Sequence, residues 1–287
     1  MTLLINKKFD TLVSEALAIE AEEAREAGTI GFMARALVQA TMPHRDPKTN
    51  EFVRTNGGFT LSIMSPSSVG LPYGSIPRLL MAWVTSEAVK TQSKEILLGK
   101  SLREFMEKLD ILPTGGKSGS ILRLKSQMQR LFSSSISCIY EGEDQWAMKS
   151  INVADAAQVW WNPKDPSQGT LFDSTLTLSE NFFKELINHP VPLDMRAIQA
   201  LSQSPMAIDI YCWLTYRMSY LKKETSITWA SLQAQFGADY GRSRDFKRKF
   251  IQQTKSVLIV YPEAKISPSE TGLLLYPSKP HIPTLRL

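Results

Sequence analysis

Apolar positions fall at helical spacing along much of this chain, and short alternating runs lie between them. Ser75-Ile-Pro-Arg-Leu-Leu-Met-Ala-Trp83-Val-Thr85 is one helical run, and Ser204-Pro-Met-Ala-Ile-Asp-Ile-Tyr-Cys-Trp213-Leu-Thr215 is its counterpart. Trp83 and Trp213 share one sequence offset with Thr85 and Thr215, and Ser101-Leu102 and Ser231-Leu232 keep it. Each of those later pairs lies on a shorter helix, preceded by a β-like run, Glu95 to Leu98 or Ser226 to Trp229. A basic helix follows, from Ser120 in the first half and from Ser243 in the second. Strand-like pairs come next: Ile136 to Tyr140 with Trp146 to Val153, and Lys265 to Ser267 with Leu273 to Tyr276. Helix, short strand, helix, basic helix and β-hairpin therefore occur in that order twice, as in a winged helix-turn-helix domain. The pattern predicts an α+β, mainly helical chain of two tandem winged helix-turn-helix domains; two copies are too few for a solenoid.

Other segments extend the reading. Ser75 and Ser204 are expected N-caps, each with proline in or near the first turn. Phe59 to Met64, Val159 to Trp161 and Leu171 to Leu178 read as strands, and Ser179 to Asn188 as a helix. Asp10 to Ala27 reads as an acidic amphipathic helix. We expect an acidic helical segment over 1–30, a first winged-helix domain over 31–170 and a second over 171–287.

The basic helices carry the candidate chemistry. Arg242 to Lys255 holds six cations against Asp245. On a helix, Phe246, Phe250 and Val257 share one face, while Arg244, Arg248, Gln252 and Lys255 share another. One face can bury; the other offers guanidinium, amide and ammonium donors suited to phosphates and to base edges in the major groove. Gly115 to Ser135 repeats the theme with Lys117, Arg123, Lys125 and Arg130 and no acid. There Ile121, Leu124, Met128, Leu131 and Phe132 face inward, and Arg123, Ser126, Gln127 and Arg130 fall opposite. A solvated basic face is the plainer account of either helix alone. Yet the two segments together exceed the +5 of the whole chain, so the remainder is net acidic and the positive charge is concentrated. Arg244 and Arg248, joined by Gln252, are the candidates for base readout. Lys247 and Lys255 are candidates for the backbone, Arg242 is a further DNA-binding candidate, and Lys117, Arg123, Gln127 and Arg130 form the DNA face of the first domain.

Composition adds bounds. The 287 residues suit one large or two small domains, and 43% hydrophobic with 21% charged residues is ordinary for a folded chain. No apolar run approaches a membrane span, and two cysteines, Cys138 and Cys212, suit a reduced, cytoplasmic setting. Thr114-Gly-Gly-Lys-Ser118 resembles a phosphate loop but has Ile111 where the first glycine is needed, so a turn ahead of the basic helix is the simpler role. His44, His189 and His281 are far apart and read as loop histidines rather than metal ligands. The tyrosines, including Tyr211, Tyr216, Tyr220 and Tyr240, carry no mark of an activated nucleophile. No cofactor, metal or enzymatic activity is expected.

Gly31-Phe-Met-Ala-Arg-Ala-Leu-Val-Gln-Ala-Thr-Met-Pro-His44-Arg-Asp-Pro47 and the run from Phe59 to Trp83 resemble the plasmid-encoded RepA replication initiators. Leu98 to Met106, Gly115 to Gly119 and Ser204 to Trp213 continue the resemblance, which spans roughly Gly28 to His281. It implies tandem winged-helix proteins that bind repeated double-stranded sites (iterons) in a plasmid origin. It further implies that they promote opening of adjacent DNA and recruit host replication proteins, the helicase and the host initiator. Some members repress their own promoter as homodimers, and a transcriptional regulator without origin function is the alternative. The resemblance assigns major-groove readout chiefly to the second domain, and backbone contacts with the dimer interface to the first.

Overall fold

The computed structural model describes residues 30–34, 37–38, 41–56, 58–141, 146–162, 164–188, 190–237 and 240–283. The acidic helix expected over Asp10 to Ala27 lies outside them. The fold is mixed α/β. Its first half runs β1 (Ile30–Ala34), β2 (Glu51–Asn56), β3 (Phe59–Met64), α1 (Ser75–Thr91), β4 (Glu95–Gly99), α2 (Leu102–Lys108), α3 (Ser120–Phe132), β5 (Ser135–Glu141), β6 (Trp146–Asn152), β7 (Ala154–Gln158) and β8 (Ser174–Leu178). The second runs α4 (Glu180–Asn188), β9 (Pro190–Asp194), α5 (Met195–Ala200), α6 (Pro205–Tyr220), β10 (Thr225–Thr228), α7 (Trp229–Phe236), α8 (Ser243–Val260), β11 (Ile266–Pro268) and β12 (Gly272–Leu275).

Two helices form the centre. In α1 and α6 apolar residues cover nearly the whole circumference, and a helix greasy on all sides is stable only when surrounded. Trp83 of α1 meets Phe105 of α2 edge-on at 5.1 Å, and Trp213 of α6 meets Phe236 of α7 edge-on at 5.5 Å. The matched tryptophans thus do the same packing job in each half. Ser204 caps α6 by accepting the Ala207 amide at 3.3 Å. Ser75 is not a cap: it is the first residue of α1, and Gly74 precedes it in a left-handed backbone with φ 78°.

The halves share helix order and differ in their sheets. In the second half β10 pairs with β12, and β12 with β11, so the hairpin after the basic helix docks on the short strand before it. In the first half β5 and β6 instead join β3 and β2 in a four-stranded sheet. The partner of β4 is β8, which also holds β7. The expected equivalence of the two hairpins therefore fails, because pairing depends on which edge is free rather than on chain order. Val159 to Trp161, expected as a strand, lies just beyond β7; Trp161 turns in to pack on Phe105 at 5.0 Å.

The halves also interlock. β8 stays in the first-half sheet although the expected division at 170/171 separates it. β1 crosses over to pair antiparallel with β9. Thr41 donates its hydroxyl to the Gln235 carbonyl at 3.1 Å, and the Gln235 amide donates to the Val38 carbonyl at 3.3 Å. One apolar core runs through both halves.

Candidate nucleic-acid interface

α8 is an 18-residue helix whose pattern decides its two sides. Phe246, Phe250 and Val257 are fully buried against α6 and α7, with Phe250 edge-on to Phe236 and Trp229. Arg242, Arg244, Arg248, Gln252 and Lys255 are exposed. Arg248 keeps 83% of its side chain in solvent, and its 3.4 Å contact with Asp245 is a surface pair worth little, so the guanidinium is free to reach a ligand.

Lys247 is different. Its ammonium donates to the carbonyls of Ser269 and Glu270, each at 3.2 Å, and lies 4.8 Å from the centre of the Trp229 ring. Trp229 also donates its indole N–H to the Ser269 carbonyl at 3.1 Å. Lys247 and Trp229 together clamp the turn between β11 and β12 to the helices. Two of its N–H donors are thus committed to the turn's carbonyls, a contact that the helical projection did not show.

The first-half helix is shorter and more enclosed. Its entry turn is tight: Ser120 donates its hydroxyl to the Leu112 carbonyl at 2.6 Å and accepts the Thr114 amide at 2.8 Å. A Cβ on Gly119 would stand 2.2 Å from the Thr114 carbonyl oxygen, so this turn requires glycine. Lys117, Arg123 and Lys125 are exposed, and the expected apolar face is buried throughout. Gln127 and Arg130 correct the sequence reading. Gln127 is buried and accepts the Tyr73 amide at 2.9 Å. Arg130 donates to the Leu71 carbonyl at 3.0 Å, lies over the Tyr73 ring and stands 3.7 Å from Asp46. The Ser65-to-Gly74 segment covers this side of α3, so both residues hold a loop instead of facing DNA. A helical projection shows one core-facing side and cannot show a second neighbour.

A polar hub beneath these helices was not legible in sequence. Arg78 is buried and spends all five N–H donors: on both oxygens of Asp209, and on the carbonyls of Met42, Pro43 and Gly74. His44 joins at 2.8 Å to the second Asp209 oxygen. Burial, opposed by the bond to Asp209, holds the His44 imidazole below its ordinary value. Asp209 is itself held low despite its burial, by Arg78 and His44, so His44 Nε2–H is the donor and the ring is neutral. His281 is likewise held low by burial, and its Nδ1 lies 2.7 Å from the Tyr211 hydroxyl. The two described histidines lie outside helices and strands, as expected, but are locked in the interior; His189 lies outside the described residues. Burial also pushes the phenol of Tyr211 and the thiol of Cys212 well up, which suits packing rather than attack. Arg45, next to His44, is exposed and stands across a groove from α8. It belongs to neither basic helix and to no periodic segment, so apolar spacing did not mark it.

Among the described residues no helix is long and apolar enough to cross a membrane, and none of their His, Cys, Asp and Glu side chains cluster as a metal site. No curated protein matches the chain. Among solved structures, crystals of selenomethionine derivatives of domains 2 and 3 of RctB superpose with a TM-score of 0.56 at 10% identity, covering 86% of this chain and 98% of that one. A second structure of RctB domains 2-3 gives 0.51 at 12% identity, covering 84% and 95%. At such identities the likeness is one of fold. Residues 71–231, more than half of the chain, match the plasmid encoded RepA protein family, a span that stops before α8. By that match the chain belongs to the plasmid-encoded RepA family, the replication initiators that its sequence resembles.

Proposed function

We propose that this chain initiates plasmid replication by binding repeated double-stranded sites in an origin, with α8 in the major groove. The carrying observation is the split of α8: aromatic residues locked in the core, and Arg244, Arg248, Gln252 and Lys255 aligned in solvent. In this reading the second half acts as a winged helix-turn-helix domain, its wing being the β11–β12 turn held by Lys247 and Trp229. Arg244 and Arg248 read base edges, where a bidentate pair to guanine discriminates by about 1–3 kcal/mol. Lys255 and Arg242 neutralise phosphates. Lys117 and Arg123 of the first half add backbone contacts, in a domain that we also read as a winged helix.

Binding to repeats would hold several copies on one stretch of duplex, help open adjacent DNA and present a surface to host replication proteins. The protein acts without enzymatic chemistry of its own, as a homodimer in autorepression and in the cytoplasm. Footprinting on the DNA flanking its gene should show protection repeated about every one or two helical turns. The gene with those repeats should sustain a replication-deficient plasmid, and Arg244→Ala/Arg248→Ala should abolish maintenance. Protection without maintenance would instead mark a transcriptional regulator.

A further inference from the structure

The groove beside α8 has a wall that neither basic helix supplies. Arg45 lines it opposite Arg248, Lys249, Gln252 and Lys255, in an open volume of about 830 Å³. Among the described residues four cations thus face one space with one carboxylate, Asp245, which already lies 3.4 Å from Arg248. Tyr240 and Ile251 also line it, the Tyr240 ring lying 5.8 Å from that of buried Phe246. A groove of this charge, open to solvent, suits a phosphodiester strand.

The residues on either side of Arg45 are anchored. On one side the carbonyls of Met42 and Pro43 accept from buried Arg78, and His44 donates to Asp209. On the other, Asp46 accepts from the Lys48 amide and ammonium, each at 3.1 Å, and faces Arg130. Both neighbours are fixed while Arg45 itself is exposed. An arginine on an anchored backbone gives up less freedom on binding than one on a loose loop.

We propose that Arg45 is a DNA-backbone contact, taking a phosphate of the strand that runs beside α8. This rests on the DNA-binding reading above and extends it to a residue from the other half of the chain. Arg45 is carried by the first half and anchored through Asp209 of the second, so the phosphate contact depends on the joint between them. Its role is electrostatic and blind to base sequence.

The test is duplex binding by fluorescence anisotropy across a salt series, for the full chain and for Arg45→Ala and Arg45→Lys, on a footprinted repeat and on a scrambled duplex. Thermal unfolding is followed alongside. Arg45→Ala should unfold at the wild-type temperature, lose affinity by the same factor on both duplexes, and flatten the slope of log K against log salt by about 0.9. Arg45→Lys should restore most of the slope. An unchanged slope in Arg45→Ala, a loss confined to the repeat, or a loss traced to lower stability and not rescued by lysine overturns the assignment. A wild-type protein that binds neither duplex removes the DNA reading itself, and this contact with it.

Discussion

Arg78 of α1 grips Asp209 of α6 through two hydrogen bonds, Nε to Oδ1 and Nη2 to Oδ2, each 2.7 Å, inside the joint between the two halves. The pair is buried, so removing one partner strands the other charge in the interior. Asp209→Ala or Arg78→Ala should cost about 3–5 kcal/mol of stability. Replacing both with apolar residues of similar size should cost less than either single change, since no orphan charge remains and only neutral groups, the Met42, Pro43 and Gly74 carbonyls and the His44 N–H, lose partners. Urea unfolding of the three variants measures this; equal losses in single and double variants would refute it.

Acid should loosen the same joint. His44 and His281 are both held below the ordinary histidine value, so the folded chain keeps them neutral while the unfolded chain protonates near pH 6.5. Between the depressed folded values and about 6.5 the unfolded state binds more protons, and stability rises with pH there. The contribution is therefore complete above about pH 6.5 and is lost as pH falls below it. Melting temperature should drop from pH 7.5 to 5.5, and His281→Asn, which can still accept from Tyr211, should drop less.

Thr85 and Thr215 occupy matched places in the two central helices, and both hydroxyls are buried without a hydrogen-bond partner among the described residues. An isosteric apolar side chain avoids the cost of desolvating an unpaired hydroxyl. Thr85→Val and Thr215→Val should each leave stability unchanged or raise it by about 1 kcal/mol. Calorimetry that shows a large loss would mean these hydroxyls do something the packing does not reveal.

In α3, exposed and buried polar residues should part company. Gln127→Ala should lower stability by about 1 kcal/mol by freeing the Tyr73 amide, with duplex affinity intact. Arg123→Ala should do the reverse, leaving melting unchanged and weakening binding to all sequences alike. Paired melting and binding data on both variants decide between them.

Much of this fold could be read from periodicity. The spans of α1, α3 and α8 follow from apolar spacing and from the turn chemistry at Thr114 to Gly119 and near Gly241. β2, β9 and α5 carried no comparable signal: all are short, β2 is rich in polar residues and β9 is interrupted by prolines. Sheet pairing was less legible than element type: β4 was free to take either β5 or β8, and only tertiary packing selects β8. Within the site, the α8 stripe was visible because a single core lies on one side of it. Lys247, Gln127 and Arg130 make contacts that the projection could not show, because each meets a second neighbour, a turn or a covering loop, from a distant part of the chain. The Arg78–Asp209 joint left no sequence pattern, since its partners meet only in three dimensions, and Arg45 lies in no periodic segment.

The most direct test of the central claim is a base-substitution scan of one protected repeat, read by binding affinity with wild type, Arg248→Ala and Lys255→Ala. Arg248→Ala should lose about 1–3 kcal/mol of discrimination at a single base pair, while Lys255→Ala should weaken every sequence equally and keep the wild-type preference. Identical scans for the two variants, or a wild-type preference untouched by Arg248→Ala, would contradict it.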